Sequence, residues 1–136
     1  MSIQQTSVTV PQRTIIGVAG LIAASIGAAI TVIPNAFYAS YSVSIAADPN
    51  LLSELRAPGA NLATLGLIMI AGAVRLNWFN LSRALAISVF FSFAVGRIVS
   101  WGIDGTPNAS ILIALAIEVM IGSMVLIATR PQKVSE

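Results

Sequence analysis

The chain has 136 residues, 57% hydrophobic and only 9% charged, with a net charge of +2. A soluble domain carries roughly 25% charged residues, and so small a fold has too much surface for its volume to hide this much apolar area from water, so lipid is the expected solvent. With no Cys and no His, disulfides, thiol nucleophiles, thiolate metal sites and the usual general base near neutral pH are excluded, and the scattered Lys and Arg do not form the clustered basic face of a nucleic-acid binder.

The first thirteen residues are polar and end on Arg13. Behind them, "TIIGVAGLIAASIGAAITVIP" over 14–34 carries no charge. Its length exceeds the 7–15 residue apolar core of a signal peptide, and "NAFYAS" is a poor cleavage site, so this helix is expected to stay as an anchor. Gly20, Ala24 and Ala28 form a stripe of small residues that marks a close helix contact, within the chain or with a second copy. Pro34-Asn35 ends the run.

The connection from Asn35 to Ala57 is too apolar for a loose linker. Asp48-Pro49 resembles an N-cap followed by Pro at the first helical position. It predicts a short interfacial helix over 49–57, bent into the second span at Pro58. Phe37, Tyr38 and Tyr41 fit a headgroup-level belt together with Trp78 and Trp101; plain ring packing is the simpler alternative.

The second run is "PGANLATLGLIMIAGAVRL", 58–76, with Ala63 and Gly66 on a close-contact face. "RLNWFNLSR" then makes a short connection, with Ser82 as the expected N-cap of the third run, 82–102. Phe90, Phe91 and Phe93 are read there as packing or lipid-facing. "GIDGTPN" is a tight turn. Asn108-Ala109-Ser110 matches a glycosylation pattern that is frequent by chance, and more simply caps the fourth run, 108–129. Met69, Met120 and Met124 read as core gap-fillers.

Each run has about the 20 residues needed to cross about 30 Å of hydrocarbon, where a helix satisfies its own backbone. The expected fold is therefore all-α. It is one integral membrane domain, 1–136, an antiparallel four-helix bundle with a short interfacial helix before the second span. Arg13, Arg75, Arg83, Arg130 and Lys133 flank one side, against Arg56 and Arg97 on the other. This bias puts both termini in the cytoplasm. No internal repeat of the transporter kind is visible.

Glu118 stands in the middle of the fourth run, where a charge is expensive. Ala114 and Gly122 lie one turn to either side of it, so a neighbouring helix can come close, and the carboxylate is expected to point into the bundle. Folding the third and fourth runs together sets it opposite residue 92 or so. Arg97 is then about 7.5 Å further along, within reach of two long side chains, and its fork suits a carboxylate. Alternatively Arg97 reaches outward to Asp104, Glu54 or loop carbonyls. Glu54 and Asn61 are seven apart on one helix face, with Arg56 beside them. The expectation is a polar cluster of Glu54, Arg56, Asn61, Arg97, Asp104 and Glu118 in the outer half. It either fixes helix register or lines a binding site. No catalytic residue, metal site or cofactor is expected.

Three stretches, "DPNLLSELRAPGANLATLGLIMIAGAVR", "FAVGRIVSWGIDGTPN" and "EVMIG", together resemble the domain-of-unknown-function 4345 family over about residues 35–128. The positions that carry the likeness are Glu54, Arg56, Gly59, Gly96, Arg97, Asp104, Gly105 and Glu118. The resemblance implies a bacterial four-helix membrane protein and no particular activity; a looser architectural likeness is to DoxX-like proteins. The leading expectation is a non-enzymatic accessory or assembly subunit of an inner-membrane complex. Its partners would be membrane lipids and other membrane subunits or further copies of itself. The alternative is a binder or transporter of a lipid or quinone-like molecule, with the charged cluster as its polar end. A membrane enzyme using Glu118 as acid or base ranks last.

Overall fold

The structure, a computed structural model, describes residues 8–130; Lys133 lies outside them. Four long helices are present: α1 (Val10–Val32), α3 (Pro49–Val74), α4 (Phe79–Asp104) and α5 (Ala109–Ala128), with a short α2 (Pro34–Ala39) between the first two. All four long helices are long and apolar enough to cross a membrane. Their outward faces carry large apolar side chains such as Leu21, Leu67, Val95 and Ile127, as expected of surfaces that lipid solvates.

The ends follow local chemistry. Thr9 and Gln12 close the start of α1, where the Thr9 backbone N–H donates to Gln12 Oε1 at 3.0 Å, half of a capping box. Asp48 caps α3, its Oδ1 accepting from the N–H groups of Asn50 and Leu51 at 2.7 and 3.0 Å, and Asn108 Oδ1 caps α5 through Ile111 N at 3.1 Å. Gly105, at φ +100°, makes the turn after α4 in a conformation that suits only glycine well.

Two boundaries differ from the sequence reading. The short helix before the second span is α2, formed by Pro34–Ala39, while residues 49–57 are helical and continue without a break through Pro58 as the start of α3. Pro58, ten residues into α3, has no N–H to give the Glu54 carbonyl, and both residues are exposed, so that carbonyl is not shut away inside the bundle. Ser82 is not an N-cap. A 3₁₀ turn, Leu76–Trp78, feeds α4 directly at Phe79, and the buried Ser82 hydroxyl donates across the junction to the Ile68 carbonyl of α3 at 2.8 Å.

α1 and α3 pack along their length and antiparallel, since Gly20 meets Gly66 and Gly27 meets Gly59. A β-carbon on Gly20 would lie 2.8 Å from the Gly66 carbonyl oxygen, and one on Gly27 would lie 2.6 Å from that of Gly59. In lipid, helix association depends on such close backbone packing because no hydrophobic gain separates helix from tail. The stripe expected on the first helix therefore seals a contact within the chain. Its third member is Gly27, because Ala28 is exposed. Met69 is fully buried in the core beside Ile16 and Val125, whereas Met120 and Met124 lie on the outward face.

α4 and α5 form the second antiparallel pair. The two pairs join firmly at the end that carries the chain termini. There Gln12 Nε2 of α1 donates across to the Arg130 carbonyl after α5 at 3.0 Å, while Arg13 Nε, donating to the Ala73 carbonyl at 2.7 Å, closes the α1–α3 pair and Arg83 Nε, donating to Thr129 Oγ1 at 3.0 Å, closes the α4–α5 pair. The two arginines meet the last turns of α3 and α5, where unpaired carbonyls and the helix dipole favour a cation.

Candidate functional site

Towards the loop end the two pairs part. The buried residues of α5 are Ile121, Gly122 and Val125, all in its second half, and those of α4 stop at Ala94. Between the separated halves lies a cavity of about 920 Å³, within the roughly 300–1,000 Å³ span of small-molecule sites. Ile22, Ile26 and Ile30 of α1 form one wall, spaced four apart on a single helical face, and Leu62 of α3 adds to it. Phe90, Phe93, Gly96 and Arg97 of α4, with Ile111, Ala114 and Glu118 of α5, form the other. Phe37, Tyr38 and Tyr41 line it from α2 and the turn after it. These three rings form a cluster, Phe37 standing 5.3 Å from each tyrosine, centroid to centroid. Asn108 Nδ2 ties the turn after α2 to the start of α5 by donating to the Tyr41 carbonyl at 2.7 Å.

One ion pair stands in this apolar wall. Arg97 Nε donates to both carboxylate oxygens of Glu118, each at 2.9 Å. Their side chains are 25% and 13% exposed, so the pair is largely withdrawn from its surroundings yet borders the cavity. Glu118 thus points inward, as the small residues beside it predict: Gly122 gives Phe91 room to pack, and Ala114 leaves the space above open. Among the described residues, the two terminal nitrogens of Arg97 have no hydrogen-bond partner. A guanidinium has five N–H donors, so four remain available on a side chain that lines the cavity.

Of the six residues expected to cluster, only Arg97 and Glu118 come together. Asp104 accepts from Ser100 Oγ one turn back, at 2.8 Å. Arg56 Nη1 donates to the Thr31 carbonyl at the end of α1, at 2.8 Å, and borders a separate hollow of about 260 Å³ with Ile33, Pro34 and Leu52. Glu54 and Asn61 are exposed and make no side-chain hydrogen bond among the described residues. Seven-residue spacing does set the latter two along one helix, but on an exposed face. Neither lines the cavity.

Sequence reasoning did not find the cavity walls. A signal existed: Ser92, Gly96 and Ser100 recur every four residues beside Arg97, a row of small side chains on one face of α4, and all three line the space. Both serine hydroxyls are engaged locally, Ser92 with the Val89 carbonyl and Ser100 with Asp104, so Arg97 is the strongest free donor in the wall. No group of three or more acidic residues able to hold a metal occurs among the described residues.

Four antiparallel spans, joined at one end and parted around a half-buried ion pair at the other, define a multi-pass membrane protein with an intramembrane cavity. The chain belongs to the family described as Domain of unknown function (DUF4345), whose model matches residues 11–129. No curated protein and no solved structure matches it. Of the positions that carry the family likeness, Gly59 sits in the α1–α3 seam, while Gly96, Arg97 and Glu118 lie together on the cavity wall.

Proposed function

We propose that this protein binds a small amphipathic molecule of the membrane, lipid or quinone-like, in the cavity between α1 and the α4–α5 pair. One observation carries the reading: an apolar space of about 920 Å³ that ends on an arginine with free donors. Small-molecule sites combine apolar walls with a few placed polar groups that fix orientation. An intramembrane charge pair beside such a space is costly unless used. Register alone is served already by the glycine seam and by the hydrogen bonds at the terminal end. The accessory-subunit reading drew on small size, the lack of soluble domains and of redox ligands, and small-residue helix faces, and the last of these are occupied by α1 and α3 against each other. On this reading the protein sits in a bacterial inner membrane with both termini in the cytoplasm, and the cavity opens in the outer half. It carries out no chemistry on what it holds.

Gly96 supplies the test. A β-carbon there meets nothing within 4 Å, so Gly96→Leu projects into the cavity without disturbing the packing. The wild-type protein, purified natively in mild detergent, should carry a stoichiometric lipid or quinone-like molecule by mass spectrometry, and Gly96→Leu should lose it while keeping its helical signal. Equal lipid content in both proteins, or none above detergent background in either, refutes the reading.

A further inference from the structure

The binding reading leaves open what kind of head the ligand carries, and the ion pair answers it. Arg97 and Glu118 together bring one positive and one negative charge to the wall, joined at 2.9 Å. The pair is electrically neutral as a unit, and its free donors are the terminal N–H groups of the guanidinium, since the Arg97 Nε–H is taken up by the two carboxylate oxygens. We infer that the cavity, if it binds as proposed above, selects a long-chain lipid whose head is an uncharged hydrogen-bond acceptor, a carbonyl of ester, ketone or quinone type, over lipids with an ionised head.

The physical reason is a balance of charge in a poorly solvated place. A neutral carbonyl accepts from the free N–H groups and leaves the net charge at zero. An anionic head gains the same bonds but adds an uncompensated negative charge beside Glu118, where like charges 4–6 Å apart repel and desolvation is costly. A cationic head adds an uncompensated positive charge and faces the free N–H groups of the guanidinium, which repel it. Tyr38 and Tyr41 also line the space, but a phenol both donates and accepts, so neither hydroxyl discriminates between the signs of a charge. Selection therefore rests on Glu118, which does not itself need to touch the ligand: it cancels the charge of the residue that does. Glu118 acts here as a specificity determinant by opposing the wrong head rather than by attracting the right one.

The test uses three probes with one 16-carbon chain and heads whose charge does not depend on pH: the methyl ester, the sulfonate and the trimethylammonium. Each is added in trace amounts to the full protein in phosphatidylcholine nanodiscs. Specific binding is the part lost in Gly96→Leu. In the wild type the ester should bind about tenfold tighter than the sulfonate, because the sulfonate brings an uncompensated charge into a poorly solvated place beside Glu118, and the ammonium should bind weakest. Glu118→Gln leaves Arg97 uncompensated, so the sulfonate should gain at least about tenfold and overtake the ester. A sulfonate that equals or beats the ester in the wild type overturns the inference while the binding reading stands, as does an unchanged order in Glu118→Gln. If no probe binds in a Gly96-dependent way, both fall. Should Glu118→Gln fail to fold, the wild-type order alone decides.

Discussion

α1 faces α3 on one side and the α4–α5 pair on another, and treats the two differently. Against α3 it presents Gly20 and Gly27, and the backbones come so close that no β-carbon fits. Against α4 and α5, in the loop half, it presents Ile22 and Ile26, with Ile30 shared between the cavity and Gly59 of α3, and the helices stand apart around a cavity. Both faces are apolar and both lie on one helix, so hydrophobicity does not separate them. Side-chain size does. Small residues let backbone meet backbone, which is the main attraction available between helices in lipid. Branched residues hold the helices apart, and the Arg97–Glu118 pair on the far wall gives the space a reason to stay open.

The largest effect should come from breaking the closed side. Gly27→Val would drive a branched side chain into the Gly59 carbonyl and the Ala63 backbone, neither of which can rotate away. A loss of about 3 kcal/mol is expected, at the upper end for overpacking, read from reversible unfolding in mixed micelles. A tolerated Gly27→Val would mean that the seam is looser than its distances say, and the contrast between the two faces would lose its basis.

That contrast was only partly legible in the chain. Four spans, their antiparallel order and the Arg97–Glu118 pairing follow from run length, short connections and the cost of charge in hydrocarbon, all of which act locally or between sequence neighbours. The extended polar cluster did not follow. Glu54 and Asn61 share a face of α3, but a helix's rotation is fixed by what packs against it, here the glycines that turn Gly59 and Gly66 toward α1. Ser82 misled for a similar reason: a hydroxyl near a predicted helix start suits a cap equally well as a cross-helix bond, and the 3₁₀ turn at Leu76–Trp78 decided for the latter. The cavity was the hardest to read, because an open space leaves no pattern beyond the small residues on its wall.

A middle-sized effect tests the open side. Arg97→Ala strands Glu118 as a half-buried carboxylate with no other partner among the described residues. Breaking a fully buried pair costs about 3–5 kcal/mol and an exposed one about 0–1, so with side chains 25% and 13% exposed a loss near 2 kcal/mol is expected. The double variant Arg97→Met with Glu118→Leu should recover most of it, since an apolar pair of similar volume removes both the charge and its need for a partner. Failure to recover would show that the pair itself sets the spacing of α4 and α5.

The smallest effect should be the most telling. Gly96→Leu adds a larger side chain than Gly27→Val does, to a helix in the same membrane, and by size alone it ought to be the more harmful. Its position says otherwise, since an added β-carbon has open space within 4 Å, and replacing a mid-helix glycine by leucine relieves backbone entropy worth roughly 0.5–1 kcal/mol. Stability in the same unfolding assay should stay within about 0.5 kcal/mol of wild type or rise slightly. Two glycine substitutions of opposite outcome would show that the cavity is a standing gap in the packing. A marked loss in Gly96→Leu would instead mean that α1 and α4 close over that space in the bilayer, leaving nothing for a ligand to fill.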